Sequence, residues 1–250
     1  MKRILLRLAY DGTGFYGWQT QKSGRTVQQT IETALFELAG AEIPVTGSGR
    51  TDSGVHALRQ YAHFDLPLKM TPEQLCKALR TKLPHDIGML EAFEVSNDFN
   101  ARYDAFKRSY RYIITRNRTP FNRFYKSFIP RLKLDDESIK AALPYFLGKH
   151  DFTSFSKLNP DLKHNFCDLQ QFDVSFRDED IIFEISANRF LHNMVRRLVG
   201  TVVNISHTET DPKIITELIE RKNPSHRLIQ TAPSQGLYLK EVHYPEEKFL

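Results

Sequence analysis

With 250 residues, 40% hydrophobic and 26% charged, and without a low-complexity tract or internal repeat, the chain can bury a real core in one large domain or two modest ones. A net charge of +5 and a pI near 9.1 are modest, so where the charge lies matters more than its total, and no segment approaches the ~18 uninterrupted apolar residues of a membrane span. Cys76 and Cys167 stand far apart without metal-type spacing and suggest neither a disulfide framework nor a zinc site, which together predicts a soluble cytoplasmic protein.

In the opening "MKRILLRLAY", Ile4, Leu6, Leu8 and Tyr10 alternate with Arg3, Leu5 and Arg7, the period of a strand. Arg7 interrupts the apolar run and argues against a signal peptide. "DGTGFYGW" predicts a loop. Thr26 and Gln29 have capping-box spacing, and Val27, Ile31, Leu35 and Leu38 mark one face of a helix that ends at Gly40. "IPVTGSGR" predicts a short strand running into a glycine-rich loop, and Val55 to Leu66 alternates as the next strand, so Asp52 falls on a loop between two strands. A second helix opens at Thr71 with Pro72 in its first turn and closes before Pro84, and Ile87 to Val95 forms a strand.

The second half repeats the idea. A strand spans Ser109 to Thr115, and a helix follows Asp135, with Pro144 predicting a kink or an early end. Strands cover Leu169 to Phe176 and Ile181 to Ala187, helices start near Asn188 and Asp211, and "GLYLKEVHY" is a last strand. The pattern predicts an α+β fold, residues 1–103 and 104–250 forming two α+β halves that share a mainly antiparallel sheet with flanking helices.

Three stretches carry candidate chemistry. "GSGRTDSGVHA", Gly47 to Ala57, gathers three of the chain's 12 glycines around Arg50 and Asp52, and the same residue types also build ordinary polar turns. A single carboxylate cannot supply the acid and base pair of ordinary glycoside hydrolysis, but it can serve as a nucleophile or a lone general base if a cation keeps it ionised. From Ala101 to Lys133, ten Lys or Arg residues and eight aromatics are interleaved with one acid, Asp104. Such cations neutralise phosphates and such rings stack unpaired bases, though cationic gatekeepers on an exposed strand would look similar. There Tyr110 and Tyr112 point to one face of a strand, and one of them can simply pack.

In "NRFLHNMVRRLVG", helical spacing puts Leu191, Val195, Leu198 and Val202 on one side, and Arg189, His192, Asn193 and Arg196 on the other. An amphipathic helix ordinarily shows water a charged face, but this one carries no acid and could meet a carboxylate or a phosphate. Asp52, His56 and His63 are the nearest metal-like set, and without HExxH, paired cysteines or clustered acids no metal is expected. Ser48 and Ser53 near His56 lack the second acid and the elbow of a nucleophilic serine.

Taken in order, "YDGTGFYGWQ", "RTVQQTIE", "GSGRTDSGVHA", "QYAHF", "RSYRYII", "HDFTSF", "NRFLHNMVRRLVG" and "GLYL" resemble the bacterial tRNA pseudouridine synthase A family along nearly the whole chain. The resemblance implies the pseudouridine synthase fold and isomerisation of uridine to pseudouridine at positions 38, 39 and 40 of the tRNA anticodon stem-loop. It further implies no metal or organic cofactor, and a homodimer with an RNA lying across both subunits. The family's catalytic aspartate falls on Asp52, and its base-stacking tyrosine, which can move a proton at C5, on Tyr110. The helix arginine that pairs with the aspartate falls on Arg196, the arginine of base extrusion on Arg50, and the apolar pocket wall on Leu237, with Leu239 close by. Arg25, Arg189 and His192 complete the expected substrate-binding set.

Two places depart from the family's pattern. "KHNFCDLQQF" carries Cys167 near a usual arginine, leaving Lys163 or His164 to contact tRNA, and Arg59 stands where glycine is more usual. Two competing functions use the same features: a non-catalytic RNA-binding or RNA-folding protein, against which the Asp52, Tyr110 and Arg196 set argues, and a metal-dependent nuclease, which needs acids near Asp52 that are not there.

Overall fold

The alternation at the start of the chain becomes β1 (Lys2–Tyr10), whose register pairs Ile4 with Phe64 on β3 (His56–Leu66) and Leu5 with Phe93 on β4 (Ile87–Val95), both antiparallel. The computed structural model describes residues 1–130, 134–157, 159–160 and 162–250, so the last three residues of the basic and aromatic stretch, 131–133, lie outside the described residues. The chain divides into two compact units, Met1–Lys107 with Tyr238–Leu250, and Arg108–Leu237. Both mix helices with mainly antiparallel strands, and the fold class is α+β.

In the first unit β3 pairs with β1 along one edge. Its other edge is divided between β9 (Leu237–His243), joined in parallel at His56 and Ala57, and β2 (Thr46–Gly47), joined antiparallel at Ala62 and His63. This parallel pairing is why the end of the chain, expected in the second half, belongs from Tyr238 onward to the first unit. The Tyr244 hydroxyl also ties it down by donating to the Ala101 carbonyl at 2.7 Å.

Helix α1 (Val27–Ala39) starts where the Thr26 hydroxyl accepts from Gln29 N–H and ends at Gly40, whose φ of 67° suits glycine. The full reciprocal capping box forms instead at α2 (Pro72–Lys82), between Thr71 and Gln74. Alternation places Leu5 opposite Ile4 and Leu6, yet it too is fully buried. Its cross-strand neighbours His63 and Phe93 lie against Phe99 and Phe249, with ring centroids 6.1 and 5.4 Å apart, so residues distant in sequence cover the second face of the sheet.

The second unit is an antiparallel sheet in the order β5 (Lys107–Thr115), β8 (Asp180–Ala187), β7 (Phe166–Arg177), β6 (Gly148–Asp151). It is packed with α3 (Asp136–Ala142), α4 (Met194–His207) and α5 (Ile214–Arg221). Phe146, Phe152, Phe155, Phe172 and Phe183 form its aromatic core. Pro144 has the expected effect: α3 stops at Ala142, and the proline enters the first turn of a tighter 3₁₀ segment, Leu143–Phe146. Helix α5 begins three residues beyond Asp211, whose carboxylate accepts from Lys213 N–H at 2.9 Å. Among the described residues no helix is long and apolar enough to cross a membrane.

Candidate active site

Asp52 lies half-buried on the loop between β2 and β3, with Arg50 exposed and Thr51 buried beside it. The loop is seated on "DGTGFYGW". Trp18 N–H donates to the Thr51 carbonyl at 3.1 Å, Gly54 N–H and the Ser53 hydroxyl donate to the Phe15 carbonyl at 3.3 and 3.2 Å, and Gly12 N–H donates to His56 Nδ1 at 3.1 Å. Glycine is required where the two segments meet. Gly17 has a φ of 89°, and a Cβ there would stand 2.5 Å from the Thr51 carbonyl oxygen. A Cβ on Gly12 would stand 2.0 Å from the Val55 oxygen. The sequence marks this motif as a loop, and its service as the seat for Asp52 emerges only from the structure. The unusual density of glycine and aromatic residues was the available signal.

Beneath the loop runs a buried hydrogen-bonded set. The Tyr10 and Thr51 hydroxyls meet at 2.9 Å, the Ser48 hydroxyl donates to the Gln60 side-chain oxygen at 2.5 Å, and the Gln60 amide donates to the Gly49 carbonyl at 3.1 Å. With every backbone neighbour of Arg50 and Asp52 held this way, the loop presents both side chains from a fixed frame. Burial pushes the Tyr10 phenol up to about 12, and burial with the adjacent Glu241 carboxylate does the same for Tyr61.

A phenol whose folded pKa is raised favours the neutral form. Its stabilisation is therefore complete below the unfolded value of about 10 and is lost as pH rises towards 12. In an alkaline titration these two tyrosines should form phenolate later than exposed ones, with the thermal midpoint falling across the same window. Uniform ionisation of all tyrosines near pH 10 in folded protein would contradict this.

His56 and His63, the histidines nearest Asp52 in sequence, are engaged in structure. His56 stacks on Tyr238 at 4.7 Å and lies 3.2 Å from Asp11, while His63 accepts from Ala101 N–H at 3.1 Å, and burial pulls its pKa down. Among the described residues no group of three or more His, Cys, Asp or Glu could hold a metal ion. Arg25 makes a two-pronged ion pair with Asp86 at 2.5 and 2.8 Å and lies over the Phe15 ring, 4.2 Å from its centroid. Arg59 pairs with Glu241 on β9, which also accepts from the Tyr61 hydroxyl at 2.8 Å, so an arginine in the usual place of glycine has a structural reason.

In the second unit Tyr110 is half-buried on β5, edge-on to Phe190 with ring centroids 5.0 Å apart. Tyr112, on the same face, is fully buried and donates its hydroxyl to the Pro233 carbonyl at 2.7 Å, so it is the tyrosine that packs. Arg196 is in the first turn of α4, where Nε donates to the Ala232 carbonyl at 2.7 Å and Nη1 to the Asn193 side chain at 3.1 Å. Arg197, not singled out from sequence, donates from Nη1 to the Ser154, Ser156 and Pro224 carbonyls at 3.1–3.2 Å, a structural arginine tying three segments together.

The helical face expected from Asn188 onward needs correction. Asn193 adopts a left-handed φ of 63° and α4 begins only at Met194, so of Arg189, His192, Asn193 and Arg196 only Arg196 lies on the helix. Arg189 and His192 belong to the preceding loop, which is anchored where Asn188 Oδ1 accepts from Asp168 and Arg189 N–H at 2.9 and 2.8 Å. Leu237 and Leu239 are both buried on β9. Cys167 is buried on β7, and burial pushes its thiol up to about 12, while Lys163 and His164 are exposed. The basic stretch is also less free than its composition suggests. Arg111 pairs with Glu184, Arg116 with Asp136, and Lys126 with Asp180.

A family model described as tRNA pseudouridine synthase matches residues 8–104 and 142–245. The chain is 42% identical over 247 residues to tRNA pseudouridine synthase A 1 of Bacillus cereus, an alignment covering 98% of this chain and 99% of the relative. It is 39% identical over 244 residues to tRNA pseudouridine synthase A of an Exiguobacterium species, covering 98% of each. To the protein of that name from Caldicellulosiruptor bescii it is 39% identical over 246 residues, covering 98% of this chain and 100% of the relative.

Proposed function

The chain belongs to the tRNA pseudouridine synthase family, and from that premise we propose that it isomerises uridine to pseudouridine at positions 38, 39 and 40 of the tRNA anticodon stem-loop, with Asp52 as nucleophile. It works in the cytoplasm as a homodimer. The observation that carries the reading is the setting of Asp52: a half-buried carboxylate on a loop whose backbone is clasped by a second loop and pinned from below.

The reaction breaks the bond from C1′ to N1 of uracil and makes one from C1′ to C5, so the base is both leaving group and incoming group and no electrons are gained or lost. Asp52 attacks the flipped uridine or assists cleavage at C1′. The base then detaches, turns and rejoins through C5, where a proton must leave while N1, freed from the sugar, takes one up. Tyr110 stacks on the base and moves that proton, Arg196 supplies positive charge, Leu237 an apolar wall, and Arg50 supports extrusion. Flipping costs a few kcal/mol, which contacts to the phosphate backbone help offset. Arg25, Arg189 and His192 add to those contacts.

Pseudouridine mapping on unmodified tRNA transcripts tests this. Wild-type protein should give product at the three positions with or without EDTA, and Tyr110→Phe should bind tRNA tightly with little turnover. Full turnover by Tyr110→Phe would remove its hydroxyl from the mechanism. Loss of product in EDTA would point to a metal, and tight binding without any product would favour a non-catalytic RNA-binding protein.

A further inference from the structure

Between Asp104 and Asp135 the chain has no acidic residue, and the loop that follows β5 ends in a phenylalanine, Phe121, that is 91% exposed. The loop is firmly built. Its base is closed by Thr115 N–H donating to the Ser127 carbonyl at 2.8 Å and Ser127 N–H donating to Ile113 at 2.9 Å, with Ser127 fully buried. At the tip, the Asn122 side chain accepts from Thr119 N–H at 2.8 Å and donates to the Asn117 carbonyl at 2.9 Å, while the Asn122 carbonyl accepts from Tyr125 and Lys126 N–H at 3.0 and 2.9 Å. Pro120 stiffens the turn further.

Nearby cations on the same stretch are neutralised: Arg111, Arg116 and Lys126 each have an acidic partner. Arg118 and Arg123, which flank Phe121, are exposed and make no ion pair among the described residues. Arg123 instead donates from Nη1 to the Pro120 carbonyl and lies over the Phe124 ring, 4.1 Å from its centroid. A hydrogen-bonded loop that holds one ring almost wholly in solvent, with Phe124 and Tyr125 partly exposed beside it and two arginines nearby in sequence that have no acidic partner among the described residues, suits an unpaired base with its adjoining phosphates.

Resting on the tRNA reading above, we propose that residues 117–126 form an RNA contact in which Phe121 stacks on an unpaired base of the tRNA outside the target uridine, with Arg118 and Arg123 meeting the adjoining phosphates. The contact supplies affinity and leaves the chemical step to the residues around Asp52.

Filter binding of an unmodified tRNA transcript over a series of salt concentrations tests it, with Phe121→Ala, Phe121→Trp and Arg118→Gln. Phe121→Ala should bind about 5- to 150-fold more weakly, the span of one base–aromatic stack, at unchanged salt dependence. Phe121→Trp should bind like wild type. Arg118→Gln should weaken binding and lower the slope of log affinity against log salt by about 0.7–0.9. Turnover at saturating tRNA should be unchanged in all three.

Wild-type affinity in Phe121→Ala would overturn the proposal. So would unchanged affinity with a shifted oligomeric state in sedimentation, which would make the loop a contact between copies of the chain. If the wild-type protein bound tRNA but made no pseudouridine, the enzymatic reading would fail while these binding measurements would still decide the loop.

Discussion

Asp52→Ala is expected to leave no detectable pseudouridine, a loss of about 10⁴-fold or more in turnover on the scale seen when a covalent nucleophile is removed, while tRNA affinity stays within a few fold of wild type. Bonds from its neighbours hold the loop in place: Thr51 to Trp18 and Tyr10, Ser53 and Gly54 to Phe15, and Gly49 to Gln60, while the Asp52 backbone carbonyl accepts from Val55 N–H at 3.2 Å. Trimming the carboxylate removes the reacting group and leaves these backbone and neighbouring bonds in place. Asp52→Asn, which preserves the shape, should be comparably inactive. Affinity falling in step with activity would show that Asp52 binds rather than reacts, and substantial product from either variant would rule it out as the nucleophile.

The second large effect is expected at Gly12, forty residues from Asp52 in sequence. An alanine Cβ there would lie 2.0, 2.5 and 3.0 Å from the Val55 oxygen, carbon and nitrogen, all backbone atoms with no rotamer to yield. Relief requires the two loops to part, and the bond from Gly12 N–H to His56 is at the same junction. Gly12→Ala should cost about 1–3 kcal/mol, as overpacking of a tight interior does. Turnover should fall about 100-fold, the size of effect that follows a misplacement of roughly 1 Å at a reacting group.

Gly88→Ala is the control, because its nearest neighbours would be 3.8–3.9 Å away, an ordinary contact, and its stability should change by less than about 0.5 kcal/mol. Urea denaturation and single-turnover rates on both variants give the comparison. If Gly12→Ala matched Gly88→Ala in stability and rate, the clasp would not be what positions Asp52.

Much of this protein is legible from local chemistry. Thr26, Thr71 and Asp135 cap helices, Pro144 ends one, alternation marks β1 and β3, and the glycine-rich loop with Asp52 falls between strands as its neighbours imply. These features act over a few residues, through dihedral preferences, side-chain reach and face periodicity. Other features were decided only by the tertiary structure. The left-handed Asn193 delays α4 and removes Arg189 and His192 from its face, and parallel pairing to β3 carries the last strand into the first unit. Distant aromatics bury the far side of β1, and Glu184, Asp136 and Asp180 neutralise three of the ten cations in the basic stretch. The seat of the Asp52 loop joins segments about forty residues apart, and Arg59 meets its acid 182 residues away. Such contacts depend on which surfaces the whole chain brings within a few ångströms, and no propensity or period in a short window encodes that.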